Sequence, residues 1–307
     1  MNMAEPIAQP TALRSVVRPN EPMGKHVSWR TGGVAARAYA PADIADLAVF
    51  LATIPAHEAV CFVGLGSNLL VRDGGFRGTV VLMHNPGGAM RAEGGLIYAD
   101  AGTASPKVAR FAATQGFEGS EFLAGVPGTV GGALAMNAGC YGSETWDVVA
   151  KVQTISRSGA LSERESGEFE IGYRRAELRA ARLGQDEWFT GAWFRFRPGD
   201  QKVARRRIKE LLARRLATQP LDLPNAGSVF RNPQGDHAAR LIEAAGLKGR
   251  EIGGARISEK HANFIVNPKG RARASDIEAL IALARDTVAQ RFGVELVPEV
   301  RIIGEAA

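Results

Sequence analysis

The sequence predicts an α+β fold, in which helices and strands are grouped rather than regularly alternating. Segments with helical periodicity and short strand-like runs follow one another in irregular order along the 307 residues. Two uncharged, glycine-rich stretches interrupt them, and no internal repeat is present. A doubly wound parallel sheet would instead require a regular alternation of strand and helix.

The composition is that of an ordinary soluble protein, with 45% hydrophobic and 23% charged residues. The first 25 residues contain no apolar segment typical of a signal peptide, and no run of 18 apolar residues could span a membrane. Cys61 and Cys140 form no CxxC motif, and the five histidines show no metal-ligand spacing. We therefore expect a cytoplasmic protein with no metal site and no membrane insertion.

The first predicted region runs from about residue 28 to residue 83. A helix from Asp43 to Thr53 is predicted, because Asp43 follows Pro41 closely and is a good N-cap. Short strands are predicted on both sides of the loop that comes next.

That loop lies within "FVGLGSNLLVRDGGFRG", residues 62–78. Its two glycines suggest a Rossmann dinucleotide site, but Leu69 stands where a third glycine is needed and no helix follows. Two interpretations remain open at this point. The segment is an ordinary hairpin turn, or it is a nest of backbone N–H groups that binds phosphate together with Ser67 and Asn68.

The second predicted region runs from about residue 97 to residue 196. Its helix begins with Ser105 as N-cap and Pro106 as first residue, and Gly116 ends it. Strands are predicted near residues 148–156 and 188–196. We expect the glycine-rich stretch "GVPGTVGGALAMNAGCYG", residues 125–142, to form neither a core strand nor a stable helix. It either lets a ligand approach the backbone or forms a small-residue packing interface.

The third predicted region follows a basic helix, Lys202 to Arg215. Helical spacing predicts one buried apolar face on this helix, made by Val203, Ile208, Leu211, Leu212 and Leu216. No aromatic residue is interleaved with the arginines, so nucleic-acid binding is not expected. The net charge of +6 suits an anionic small-molecule ligand equally well. The last helix is predicted to open with a capping box, Ser275 to Glu278, and to end at Gly293.

Six motifs occur in a defined order over nearly the whole chain. They are "GLGSNLLVRDGGFRG", "GVPGTVGGALAMNAGCYG", "IGYRRAEL", "PNAGSVFRNP", "LIEAAGLKGREIGGARIS" and "PEVRIIGE". In this combination the chain resembles the UDP-N-acetylenolpyruvoylglucosamine reductase (MurB) family of flavoenzymes. The stretch between Asn232 and Lys248 is too short for the tyrosine-bearing loop of one branch, so the chain resembles the loop-free, type II branch.

The resemblance implies a two-part FAD-binding module of the vanillyl-alcohol oxidase (PCMH) type and a C-terminal α+β substrate domain. It implies an N-terminal extension at 1–27, an FAD-binding domain in two lobes at 28–200, a linker helix at 201–219 and a substrate-binding domain at 220–307. The positions that match the family's FAD contacts are Gly64, Gly66, Ser67, Asn68, Gly128, Thr129, Gly131, Asn137 and Gly139. No histidine lies in the first loop, and Cys61 reads as a strand residue, so we expect non-covalent FAD.

The resemblance also implies a reaction and the residues that perform it. NADPH is the hydride donor, and an enolpyruvyl ether on UDP-N-acetylglucosamine is reduced to UDP-N-acetylmuramate in peptidoglycan precursor synthesis. Three positions match the family's catalytic residues: Arg174 for the substrate carboxylate, Ser228 as proton donor and Glu299 as acidic partner. Matches to substrate-binding positions are Tyr173, Asn232 and Lys248.

Each of these residues could instead have a purely structural role. Either Arg174 or Arg175 could be a surface charge, Ser228 a turn residue, Glu299 a carboxylate paired with Arg301, and Lys248 a solvated lysine. Alternative functions are a sugar or alcohol oxidase on the same flavin fold and a non-catalytic nucleotide-binding module. We expect a monomer.

Cys140 departs from the family pattern. It stands where alanine is expected and suggests sensitivity of the flavin site to oxidation.

Overall fold

The computed structural model describes residues 12–84 and 88–307. Of the predicted N-terminal extension, residues 1–27, the first 11 residues lie outside the described residues. From Arg18 to Pro22 the chain forms a strand paired with the next strand, so this part of the supposed extension belongs to the first sheet. Extended residues beside a neighbouring strand satisfy their backbone hydrogen bonds there.

The first region contains five strands, one α-helix and a short 3₁₀ helix at Met23–Lys25. They are β1 Arg18–Pro22, β2 Val34–Tyr39, α1 Ile44–Ala52, β3 Val60–Val63, β4 Leu69–Val71 and β5 Phe76–Leu82. Four of the strands form a sheet in the order β1-β2-β5-β3, in which β2, β5 and β3 are parallel. The predicted cap of α1 is confirmed, because the Asp43 carboxylate accepts a hydrogen bond from Asp46 N at 2.9 Å.

The second region contains an antiparallel sheet covered by helices. Its elements are β6 Met90–Glu93, β7 Leu96–Asp100, α2 Ser105–Thr114, β8 Phe117–Glu118, α3 Val130–Ala135, β9 Gly139–Cys140, β10 Ser143–Glu144, β11 Val149–Ser156, β12 Leu161–Glu165, β13 Phe169–Gly172, β14 Arg175–Leu178, β15 Glu187–Phe194, β16 Arg197–Pro198 and α4 Gln201–Thr218. The sheet order is β12-β11-β15-β7-β6. Both predicted strands are present, as β11 and β15.

Two predictions for this region are wrong in detail. The N-cap of α2 is Ala104 rather than Ser105, whose buried hydroxyl has no partner among the described residues. The glycine-rich stretch does contain a helix, α3. A Cβ at Gly131 would lie 3.0 Å from Ala101 Cβ, so close tertiary packing stabilises a helix that local propensity would not.

The buried face of α4 also differs from the prediction. Ala204, Ile208 and Leu211 are buried, whereas Val203 and Leu216 are 45% and 62% exposed. The helix packs on α2 and on a short 3₁₀ helix at Glu121–Gly125. These two neighbours decide which face of α4 is buried, and that face is rotated relative to the most apolar face.

The third region is smaller and returns to the first at its end. Its elements are α5 Ala238–Ala244, β17 Glu251–Ile252, β18 Ala255–Ile257, β19 Ile265–Val266, α6 Ala274–Phe292 and β20 Arg301–Ile303. The strand β20 pairs in parallel with β4. Since β3 pairs with β5 and not with β4, the hairpin interpretation of the first loop is wrong. The grouped elements confirm the α+β class.

Two carboxylates cap α6: Asp276 in its first turn accepts from Arg273 N at 2.9 Å, and Asp73 comes from elsewhere in the chain. The predicted Ser275 box is absent; the N-cap is Arg273, and the Asp73 carboxylate accepts from Ala274 N and Ser275 N, both at 2.9 Å. The helix ends at Gly293 in the left-handed conformation, as predicted.

Trp29 anchors the first region to the third. Its side chain is fully buried, and Nε1 donates to the Ile265 carbonyl at 2.7 Å. We expect Trp29→Phe to lower the free energy of unfolding by roughly 2–4 kcal/mol, since it opens a cavity and leaves a buried carbonyl unpaired. Urea unfolding measures this, and Leu216→Ala on the exposed side of α4 is the control. Equal stability of Trp29→Phe and the wild type would contradict the anchoring role.

Candidate active site

The first loop, defined here as Gly64–Asn68, joins β3 to β4 in two different sheets. Within residues 12–84 and 88–307, no acceptor is found for the backbone N–H groups of Leu65 to Asn68. Gly66 has a φ of 61°, and a Cβ there would collide with the His26 carbonyl. The loop is therefore a tight turn with free donors, as the phosphate-nest interpretation requires.

The second loop, Gly128–Gly131, packs directly against the first. A Cβ at Gly64 would collide with Thr129 Oγ1, and a Cβ at Gly128 would lie 2.6 Å from Ser67 Oγ. Any larger residue at either glycine would separate the two loops. The structure thus brings seven of the nine predicted FAD residues into one cradle, the exceptions being Asn137 and Gly139.

Asn137 is used internally. Its side-chain amide donates to Glu144 Oε2 at 2.7 Å and to the Gly172 carbonyl at 3.1 Å, while its oxygen accepts from Trp146 N. Both amide hydrogens are occupied and the residue is buried. The Asn137 amide therefore has no donor left for a ligand in this arrangement, and its contact with FAD stays a prediction. Sequence reasoning could not distinguish a buried amide with internal partners from a ligand-facing one.

Arg174 occupies the turn between β13 and β14 with a φ of 56°, a conformation that costs a non-glycine residue about 1–3 kcal/mol. Its Nε donates to Glu299 Oε1 at 3.0 Å, and its terminal nitrogens donate to the carbonyls of Asn137 and Gly139 at 3.3 and 3.0 Å. A guanidinium has five N–H donors, so two form no hydrogen bond within the protein, although the Glu144 carboxylate forms an ion pair with the same guanidinium at 3.8 Å. The Gly139 carbonyl therefore accepts a hydrogen bond from Arg174 and helps to hold its guanidinium.

The neighbouring Arg175 behaves as a surface residue. It is exposed and forms ion pairs with Glu170 and Glu177. Of the two arginines that the sequence could not separate, only Arg174 is half-buried and joined to Glu299.

Glu299 lies at the end of the segment that leads into β20. Its backbone N–H donates to the Val229 carbonyl at 2.7 Å, and its own carbonyl accepts from Asn68 Nδ2 at 3.1 Å. Burial raises the pKa of its carboxyl above the ordinary value, although the charges of Arg174 and Arg231 act to lower it. Its partner is Arg174 and not Arg301, so the suggested pairing with Arg301 is wrong.

Ser228 follows the turn at Gly227 and precedes Val229, whose carbonyl binds Glu299 N. It is half-buried, and no hydrogen-bond partner of its hydroxyl lies in the described parts of the chain. Its backbone therefore runs beside the Glu299 segment, with the hydroxyl available to a ligand.

The three predicted substrate residues divide into two groups. Tyr173 lies beside Arg174, whose guanidinium is 4.9 Å from the ring centroid, and its hydroxyl accepts from Asn232 N at 3.4 Å. The Asn232 side chain accepts from Ala238 N at the start of α5. Lys248 lies beyond the other end of α5 and donates to Glu243 at 3.1 Å. Among the described residues, no hydrogen bond or ion pair joins Lys248 to Arg174.

Cys140 sits behind the arginine turn. Its Sγ donates to the Phe122 carbonyl at 3.2 Å, and burial raises the pKa of its thiol to about 11. A thiol that stays protonated at neutral pH is a weak nucleophile, so the expected sensitivity to oxidation has no support here.

Within the described residues, no helix is both long and apolar enough to cross a membrane. The same residues contain no group of three or more histidine, cysteine or acidic side chains arranged for a metal ion.

Comparisons with known proteins find similar domains and similar whole chains. A family model described as an FAD binding domain matches residues 35–163, and one described as the UDP-N-acetylenolpyruvoylglucosamine reductase C-terminal domain matches residues 219–303. The UDP-N-acetylenolpyruvoylglucosamine reductase of Nitrosospira multiformis is 56% identical over 96% of this chain and 90% of its own length. That of Alkalilimnicola ehrlichii is 52% identical over 100% and 99%.

A solved structure is also similar along its whole length. The reductase of the same name (MurB) from Thermus caldophilus superposes with a TM-score of 0.77 at 30% identity. The match covers 95% of this chain and 99% of that one.

The buried carboxyl of Glu299 generates a prediction on stability. Because folding raises its pKa, the native state holds more protons than the unfolded chain above the ordinary value of 4.5. The free energy of unfolding of the wild type, relative to Glu299→Gln, should therefore fall as pH rises through the window from 4.5 to the raised pKa, and then level off. Urea unfolding across this window measures it, with exposed Glu295→Gln as control. A pH-independent difference would contradict the raised pKa.

Proposed function

The chain belongs to the UDP-N-acetylenolpyruvoylglucosamine reductase (MurB) family of FAD-dependent oxidoreductases, and from this membership we propose that NADPH is its hydride donor and peptidoglycan precursor synthesis its role. The substrate then carries an enolpyruvyl ether with a carboxylate, and the product is UDP-N-acetylmuramate. We place the enzyme in the cytoplasm as a monomer of the loop-free branch.

One observation carries the proposal most directly. Asn68 lies in the first loop, and its side chain donates to the Glu299 carbonyl at 3.1 Å. The predicted FAD cradle and the Arg174–Glu299 pair are therefore adjacent in the fold. A reaction that joins flavin chemistry to an anionic intermediate requires this adjacency.

The two loops fit FAD by their own geometry. The unpaired N–H groups of Leu65 to Asn68 suit a pyrophosphate, and the glycines of both loops leave room for the backbone to approach it. Bound FAD supplies hydride transfer. With no histidine in the first loop and with the Cys61 thiol held protonated by burial, which raises its pKa to about 11, the cofactor is held without a covalent bond.

Arg174 stabilises the negative charge that develops on the substrate during reduction. Hydride addition to the terminal carbon of the double bond leaves charge on the next carbon and its carboxylate. The two free N–H donors of Arg174 can bind that carboxylate, and its three internal bonds hold the guanidinium in place beforehand. An arginine cannot release a proton at neutral pH, so the proton comes from another group.

Ser228 donates that proton to the carbon next to the carboxylate. Its hydroxyl has no partner within the described chain, and its backbone is held beside Glu299 through Val229. The raised pKa of Glu299 makes its carboxyl a better proton source than an exposed glutamate, so it can assist the serine. Tyr173 and Asn232 orient the sugar side of the substrate, and Lys248 pairs with an anionic group farther away.

The purified protein tests the proposal. We expect a yellow protein that loses flavin absorbance anaerobically with NADPH and regains it on addition of the enolpyruvyl substrate, with UDP-N-acetylmuramate as product. The colour should leave the precipitated chain on denaturation. A covalently retained flavin would favour the oxidase alternative, and a bound nucleotide without NADPH consumption would favour the non-catalytic module.

Ser228→Ala separates the two halves of the reaction. We expect turnover to fall by ~10²–10⁴-fold, the usual contribution of a general acid, while NADPH-dependent loss of flavin absorbance keeps close to its normal rate. Anaerobic stopped-flow measurement of each half, with remote Ser162→Ala as control, provides the test. Equal slowing of both halves would assign the serine to positioning and transfer the proton-donor role to Glu299.

A further inference from the structure

Arg231 lies beside the candidate site, and within residues 12–84 and 88–307 its side chain forms no hydrogen bond and no ion pair. The residue is half-buried, and its buried Nε has no hydrogen-bond acceptor among the described residues. No carboxylate in the same part of the chain forms an ion pair with it. Arg256 also has a buried, unpaired Nε, but its guanidinium pairs with Glu251. A buried donor without an acceptor is uncommon in native proteins and calls for an explanation.

The backbone on both sides of Arg231 is firmly held. Its N–H donates to the Val297 carbonyl at 2.9 Å, and the Asn263 side-chain amide binds both backbone groups of Phe230. On the other side, Asn232 N contacts the Tyr173 hydroxyl. The arginine therefore sits on a fixed segment that leads from Ser228 to the tyrosine beside Arg174.

The charge of Arg231 reaches the same site. It acts on Glu299, where it lowers the carboxyl pKa against the larger opposite effect of burial. Arg174 has already committed three of its five N–H donors to Glu299 and to two carbonyls. Arg174 thus keeps two donors for a ligand, whereas the side chain of Arg231 has committed none within the described residues.

We propose that Arg231 is a specificity-determining residue that binds an anionic oxygen group of the substrate. The inference rests on the proposed function, whose substrate carries two such groups, the enolpyruvyl carboxylate and the diphosphate. A planar guanidinium binds either group in bidentate fashion, and lysine does not reproduce that geometry. Binding of the ligand supplies the acceptors that the protein itself does not provide.

The test compares Arg231→Gln and Arg231→Lys with Arg175→Gln, which removes the same charge from an exposed, paired arginine nearby. We expect Arg231→Gln to raise KM for the enolpyruvyl substrate by ~10–100-fold with kcat within ~3-fold of the wild type, since charge-assisted hydrogen bonds are lost from binding. Arg231→Lys should recover part of the loss. Arg175→Gln should behave as the wild type.

A second ligand identifies the group that is bound. UDP-N-acetylglucosamine has the diphosphate but no carboxylate, and we expect it to compete with the substrate for the same site. Weaker inhibition of Arg231→Gln by this compound assigns Arg231 to the diphosphate, whereas unchanged inhibition with a raised substrate KM assigns it to the carboxylate.

The proposal is overturned if both ligands bind flavin-loaded Arg231→Gln as tightly as the wild type. It is also overturned if neither Arg231 variant folds and retains flavin, because the residue would then be structural. Wild-type turnover tests the proposed function separately, so the two failures are distinguishable.

Discussion

The ion pair between Arg174 and Glu299 is the interaction around which the candidate site is arranged. It joins residues 125 positions apart, with Nε and Oε1 at 3.0 Å. One partner comes from the turn between β13 and β14, and the other from the segment before β20. A buried pair of this kind adds little net stability, but removing one partner leaves an uncompensated charge. The pair instead fixes a position, because it holds the Arg174 guanidinium, which lies in a strained turn, at a defined place.

That pair depends on how the third region is attached to the first. Parallel pairing of β20 with β4 brings Glu299 beside the first loop, since Asn68 immediately precedes β4. Three further contacts fix the same junction: Trp29 to the Ile265 carbonyl, Asp73 to the start of α6, and Arg72 to Glu278. The loop that is suited to a pyrophosphate and the residues suited to proton transfer are thus held next to each other by strand pairing and side-chain contacts.

Much of the site could be predicted from the motifs, and the exceptions share a cause. The two loops that carry seven of the predicted residues are in contact through Gly64 with Thr129 and Ser67 with Gly128. Arg174, Glu299, Tyr173 and Asn232 form one connected group. Asn137 was expected to face a ligand, but its amide is satisfied internally. The sequence did not single out Arg231, because only the structure shows that its buried Nε has no acceptor among the described residues. Only the arrangement of neighbours reveals whether a polar side chain is already satisfied.

The sequence by itself determined the local features: the Asp43 cap of α1, the Gly293 end of α6, the strands β11 and β15, and the glycines that the two loops require. These depend on hydrogen bonds and backbone conformations within a few residues. Tertiary structure decided the pairing of β4 with β20, the capping of α6 by Asp73, the existence of α3 and the buried stripe of α4. Each of these depends on a partner distant in sequence, whose burial or hydrogen bonds outweigh local propensities of a few tenths of a kcal/mol to about 1 kcal/mol per residue.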